Sequence, residues 1–397
     1  MSNLDRYIKG DRYLWAFIGL LAIFSFLPIY SASTNLVIAH GNSTVFHYLF
    51  KHALFLVIGF VILFFTQLID YKYFGGLAVL VMPLILILLI ATLAQGQTAE
   101  GVNAARWLRV PIINVSFQTS TAATVTLLIY CARYLAKNKN KPIGLMESFW
   151  PLLIPIFITI ALIFPYNGST GAILFVSTMI LLFIGGYPLQ YLSLLLLSVV
   201  FFSSIFIFAS FKWSDQIPSN RVHTWKNRIE KFMNKDTEES YQVKRAKTAI
   251  VLGGQFGRGP GKSALKAFLP QSSSDFIYAI IVEEYGSIGG ITLLFIYVLI
   301  LLRLLIITTK VEHYFGSLLV FAVGFPIIAQ ALINMGVAVN LLPVTGQTLP
   351  LISAGGTSIW ISCFSFGVIL SVSRVIQKND PLMSKTKNIK NNEEEIA

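Results

Sequence analysis

Between residues 211 and 290 the chain gathers most of the side chains that could do chemistry. Asp236, Glu238 and Glu239 lie close together, amid Lys231, Lys235 and Lys244. A carboxylate held among cations stays ionised, and an ionised carboxylate can take a proton from a hydroxyl. The same three acids could instead do no more than pair with those lysines. Before Asp275 the stretch carries twelve basic residues against five acidic, Arg228, Lys244, Arg245, Lys247 and Arg258 among them. Such a basin suits an anionic group, most simply a lipid-linked phosphate. The run Val251–Lys262 sets five glycines around two cations, and a glycine backbone can approach an anion closely. It is not a P-loop, because Phe256 stands where that pattern needs a glycine.

Asp275, Glu283 and Glu284 follow within an apolar frame of Phe276, Ile277, Ile280, Ile281 and Val282. Acids facing lipid are costly. The segment Asp275–Gly286 should therefore not be a simple transmembrane helix, and its acids should face the protein interior or a water-filled cleft. No H-x-x-x-H or H-E-x-x-H pattern occurs among the five histidines, so no zinc site is indicated. No metal ligand set is assigned, although a divalent cation such as Mg2+ could assist.

These residues must be positioned by a membrane protein. The chain has 397 residues, 55% hydrophobic and 12% charged, with a mean hydropathy of +0.71. Soluble domains carry about 25% charge. A cytosolic enzyme, a disordered scaffold and a secreted disulfide domain are excluded. Cys131 and Cys363 sit in apolar runs and read as small buried hydrophobes. Apolar runs of spanning length, about 20 residues, lie near 13–33, 53–69, 74–95, 117–136, 148–164, 169–186, 189–210, 287–308, 314–338 and 353–376. Their polar content lacks the alternation of barrel strands. The fold class is all-α and polytopic, with about ten transmembrane helices and a large loop, roughly 211–272, between the seventh and eighth. The first run is too long for a signal-peptide core and reads as a retained helix.

Lys and Arg set the sidedness. With the N-terminus inside, the inner segments hold fifteen of them and the short outer loops only Lys51, Arg106 and Arg109. Both termini are then cytoplasmic and the loop 211–272 is external. Long loops cross largely regardless of charge. An external loop makes nucleic acid an unsuitable partner. Residues 1–376 form one transmembrane domain. Residues 377–397 are polar, end near Glu393-Glu394-Glu395, and read as a disordered cytoplasmic tail.

Several runs then fall in a familiar order. They are Tyr241-Gln242, Gly253–Gly261, Leu269-Pro270, Asp275-Phe276-Ile277 and Glu283-Glu284-Tyr285-Gly286, followed by Asn334-Met335-Gly336, Leu342–Gly346, Leu349-Pro350 and Ile352–Ser358. In this the chain resembles the SEDS family, the FtsW and RodA proteins, over nearly its whole length. The resemblance implies a peptidoglycan glycosyltransferase of the bacterial cytoplasmic membrane. Such an enzyme polymerises lipid II at the outer face and works with a class B penicillin-binding protein. The run Gly346–Ser353 looks more like the division branch than the elongation branch, which implies a septal role among other divisome proteins. The alternatives are a lipid II flippase, a RodA-like elongation polymerase, and a non-enzymatic division scaffold that recruits its synthase partner.

The resemblance carries the family's catalytic Asp to Asp236, upstream of Tyr241-Gln242, with Glu238 and Glu239 as competitors. It carries an upstream basic residue to Arg228. Lys244, Arg245, Lys247, Arg258, Asp275 and Glu283 are the further substrate-binding candidates. The chain also departs from the pattern. Gln118-Thr119-Ser120-Thr121 stands where the family has a Gln-Pro-Ser-Glu-like run. Pro165–Thr170 stands for a Pro-Asp-x-Gly-Thr run, and Ala354 for a tyrosine.

Overall fold

The structure is a computed structural model that describes residues 9–40, 44–95, 108–110, 115–212 and 241–379. Every apolar run holds a helix. These are α1 (Arg12–His40), α2 (Val45–Leu68), α3 (Lys72–Gln95), α4 (Thr119–Lys137), α5 (Leu145–Ile163), α6 (Gly168–Ile184), α7 (Leu189–Lys212), α9 (Ile277–Lys310), α10 (Tyr314–Ala338) and α11 (Gly356–Asn379). A further helix, α8 (Tyr241–Gly253), lies within the long loop. Among the described residues seven helices, α1, α2, α3, α5, α9, α10 and α11, are long and apolar enough to cross a membrane. α6 and the Leu189–Phe201 part of α7 are apolar but shorter. The expected number of ten spans thus also depends on α4, α6 and α7.

The all-α expectation needs one addition. Strand β1 (Leu108–Val110) pairs antiparallel with β2 (Val115–Phe117), Arg109 opposite Ser116. These strands are too short to give a readable periodic signal. Several boundaries also shift: α1 continues to His40 rather than near 33, and α2 starts at Val45 rather than near 53. α9 starts at Ile277 rather than near 287, and α11 continues to Asn379, past the expected boundary at 376.

Buried apolar side chains form two clusters. One joins α1, α2, α8, α9, α10 and α11, including Ile18, Leu63, Ile280, Tyr297 and Phe366. The other centres on α4, α5 and α6, including Leu128, Leu152 and Leu181. Both cysteines are buried and free, as small hydrophobes should be.

At the end of the bundle away from α8, Asp11 ties three helices together. Its Oδ1 accepts the Leu14 N–H at 2.9 Å and so caps α1. Its Oδ2 receives Arg303 of α9 through Nη2 at 2.5 Å and Nε at 2.7 Å. Its own N–H donates to Ser373 Oγ of α11 at 2.9 Å. The Arg303 guanidinium also lies 4.6 Å from the Tyr13 ring centre. A charge among apolar helices persists when it is paired and hydrogen-bonded in this way.

Candidate active site

The loop-bearing end is organised by a break in α9. Gly286 has φ 71° and ψ −177°, so the helix is interrupted there. That conformation is open essentially to glycine alone. A break leaves carbonyls before it and N–H groups after it without helical partners, and a buried unpaired group costs about 1–3 kcal/mol. The glycine run supplies the partners. Arg258 N–H donates to Glu283 O and Gly259 N–H to Glu284 O, both at 2.9 Å. Ser287 N–H donates to Gly254 O at 2.9 Å and Ile288 N–H to Gln255 O at 3.4 Å. The loop therefore splices the two halves of α9. The approach needs glycine, since a Cβ on Gly257 would lie 2.2 Å from Glu284 O and one on Gly286 2.1 Å from Gln255 O.

This corrects the reading of the glycine run as an anion cradle. The N–H groups of Gly257, Arg258 and Gly259 are donated to Gly253 O, Glu283 O and Glu284 O. The side chain of Arg258 remains exposed and can still face an anion.

Glu283 and Glu284 are fully buried, so these acids face the protein interior as anticipated. Glu283 organises the chain that follows the glycines. Its Oε2 accepts the Ser263 hydroxyl, and its Oε1 accepts Ala264 N–H at 2.7 Å and Leu265 N–H at 3.4 Å. Both oxygens are engaged and no surface is left for a ligand. Glu283 is thus a structural residue, which corrects its expected place among the substrate contacts. Glu284 Oε1 accepts the Ser263 N–H at 3.3 Å. In the sequence Ser263 stands out only as the end of Gly261-Lys262-Ser263, which fits the close of a P-loop pattern, and nothing there points to a contact with Glu283 or Glu284.

α8 packs Val243, Ala246, Ala249 and Gly253 inward against the part of α9 before Gly286. Small residues at this spacing allow close approach. Lys244, Arg245 and Lys247 fall off that buried face. Arg245 stacks 5.0 Å from the Tyr241 ring centre and 5.7 Å from that of Phe268. Lys266 Nζ donates to Gly261 O at 2.9 Å. Lys244, Arg245, Lys247 and Arg258 thus belong to one platform at this end of the bundle. Asp275 is half-buried, and its carbonyl accepts Asn334 Nδ2 at 2.8 Å. Asp236, Glu238, Glu239 and Arg228 lie outside the described residues.

The connection from α10 to α11 nests against this platform. Asn334 Nδ2 also reaches Gln347 O at 2.7 Å, and Ser353 Oγ donates to Ser274 O at 2.7 Å. Ala354 N–H donates to Ser273 O at 2.8 Å, and Tyr297 OH to Pro350 O at 2.5 Å. The buried amides Asn334 and Gln347 lie within runs that carry the resemblance, and the sequence alone gives them no role. An amide inside an apolar run was the available signal.

A family model described as "Cell cycle protein", for FtsW, RodA and SpoVE, matches residues 11–378. The chain belongs to the FtsW/RodA/SpoVE family. It is 30% identical to the probable peptidoglycan glycosyltransferase FtsW of Geobacter sp. (strain M18), over 93% of this chain and 98% of that one. It is 31% identical to the protein of the same description from Saccharophagus degradans, over 96% and 97%. In fold it resembles a chain from a peptidoglycan synthase complex that coordinates polymerization and crosslinking. That match has a TM-score of 0.72 and 22% identity, over 93% of this chain and 99% of the other. Thermus thermophilus RodA matches with a TM-score of 0.65 and 22% identity, over 93% and 98%.

Two of the departures from the FtsW and RodA pattern meet in space. Asn167 Nδ2 donates to Ser120 Oγ at 3.3 Å. Next to them Thr121, Thr124, Thr170, Gln330, Gln347 and Ser362 line a cavity between α4, α6, α10 and α11. Gln347 Nε2 donates to Thr170 Oγ1 at 3.1 Å.

Proposed function

We propose that this chain is a peptidoglycan glycosyltransferase that polymerises lipid II into glycan strands. The observation that carries the reading is the family match from residue 11 to 378, together with relatives described as glycosyltransferases at about the same length. In the proposed reaction Asp236 takes the proton from the 4-hydroxyl of the acceptor's GlcNAc. That oxygen attacks the anomeric carbon of the donor and expels undecaprenyl diphosphate. The donor linkage is α and the product β-1,4, so the displacement inverts. The diphosphate leaves as an anion, and Arg228, Lys244, Arg245, Lys247 and Arg258 are the cations offered to it. Among the described residues no three His, Cys, Asp or Glu side chains gather as a metal site, and no step is assigned to a metal.

A flippase would place charge in a cavity at the bilayer midplane. The cavity between α4, α6, α10 and α11 is lined by hydroxyls, amides and apolar groups, without a charged side chain. That favours the enzyme. The partner in this reading is a class B penicillin-binding protein that crosslinks the strands. The division branch, on the run Gly346–Ser353, places the pair among divisome proteins at the septum, in the cytoplasmic membrane.

The direct test is polymerisation of labelled lipid II by the purified protein, with and without that partner. Glycan strands support the reading, and lipid II consumed in neither case overturns it. Topology has its own test. Cysteine at Ser240 should react with a membrane-impermeant thiol reagent in intact cells, and cysteine at Asn138 should not. The native cysteines are buried and give little background. The reverse pattern would place the loop inside and end the proposal.

A further inference from the structure

A second basic site lies at the opposite end of the bundle from the platform. A cleft of about 410 Å³ opens between α3, α4 and the start of α5. Its charged and hydroxylic lining is Arg133, Lys137, Lys141, Glu147, Tyr130 and Tyr134. Three cations thus face one acid. Among the described residues none of the three cations pairs with a carboxylate. Lys139, beside them in sequence, is committed elsewhere, with Nζ 4.3 Å from the Tyr314 ring centre.

The cleft is built by local sequence. Gly75 and Gly76 on α3 leave the space in which Arg133 lies, and a Cβ on Gly76 would sit 3.1 Å from its guanidinium. Phe149–Leu153 forms a π turn at the start of α5, a feature frequent at functional sites. It brings Pro151 to the cleft wall, where the Pro151 carbonyl accepts the Tyr130 hydroxyl. The volume falls in the usual range for small-ligand sites, about 300–1,000 Å³.

We propose that this cleft binds the phosphate headgroup of an anionic phospholipid in the inner leaflet. Three observations select a lipid. Phe149 and Trp150, exposed and set in sequence between the lining residues Glu147 and Pro151, are of the type that anchors a membrane interface. Val79 forms an apolar wall, and beyond it α3 turns Leu80, Leu84 and Ile87 outward as a track for acyl chains. Basic pockets between helices on the cytoplasmic side bind such headgroups. Arg133 would engage the phosphate in a forked contact, with Lys137 and Lys141 as flexible charges around it. The site rests on the sidedness set by Lys and Arg and is independent of the glycosyltransferase reading, since binding is measured without turnover.

The test is native mass spectrometry of the full chain in detergent, with phosphatidylglycerol and phosphatidylcholine as matched probes. The parent should retain phosphatidylglycerol preferentially. Lys137→Gln with Lys141→Gln should weaken that retention about 25-fold, from roughly fivefold for each cation removed. Both lysines are exposed, so the double variant should fold. Lys139→Gln should bind like the parent. Equal retention of the two lipids, or unchanged binding by the double variant, overturns the proposal. Displacement of phosphatidylglycerol by millimolar inorganic phosphate would also overturn it, by making the cleft a site for free anions.

Discussion

Asp236→Asn will slow glycan-strand formation from lipid II by about 10²–10⁴-fold, the usual loss when a general base is removed. Asparagine keeps the size and most of the hydrogen bonding of aspartate but cannot accept the proton. Membrane insertion and partner binding should stay near the parent's, because no span is altered. Glu238→Gln and Glu239→Gln should each cost far less. The three variants are to be compared at matched protein levels, with strand length read on a gel. Parent-like polymerisation by Asp236→Asn beside a dead Glu238→Gln or Glu239→Gln would move the base to that glutamate. Normal polymerisation by all three would remove the loop carboxylates from the chemistry altogether.

Gly286→Ala should be the most damaging of the conservative changes to the fold. Alanine must adopt a backbone conformation that costs about 1–3 kcal/mol. Its methyl would also lie 2.1 Å from Gln255 O and 2.6 Å from Gly257 N, both backbone atoms with little room to yield. Overpacking of this kind adds roughly 1–3 kcal/mol. The sum is a large share of the about 5–15 kcal/mol that holds a typical protein folded. Thermal unfolding in detergent should show a clear fall in midpoint. Gly19→Ala is the matched control, since nothing lies within 4 Å of the added Cβ. Inside a helix that exchange stabilises by roughly 0.5–1 kcal/mol. Equal midpoints for the two variants would mean that the splice across Gly286 yields easily.

The spans were legible because a long apolar run is a strong and local signal. The special character of 275–286 was legible too, since acids within an apolar frame cannot simply face lipid. Which glycine breaks the helix was not. Gly286, Gly289 and Gly290 look alike in sequence, and the choice depends on carbonyls at Gly254 and Gln255. Glu283 was misread as a ligand contact because a sequence displays charge but not burial. The glycine run reads as open backbone for the same reason: the partners of the Arg258 and Gly259 N–H groups lie about 25 residues further along the chain. Arg303 counted only as one vote for sidedness, because its partner Asp11 stands 292 positions away. The proposed base and Arg228 depend on neighbouring charge and on the resemblance, and their residues are outside those described.

The Asp11 latch also imposes a schedule on biogenesis. Asp11 leaves the ribosome before Arg303, which follows 292 positions later, and Ser373 comes last of the three, 362 positions after Asp11. The first helix must therefore wait with its Asp11 held only by its own cap at Leu14, without Arg303 and Ser373, while α9 and α11 are still being made. Contacts that distant in sequence close slowly and late. Until α11 is made, the start of α1 lacks the contact that ties it to Ser373.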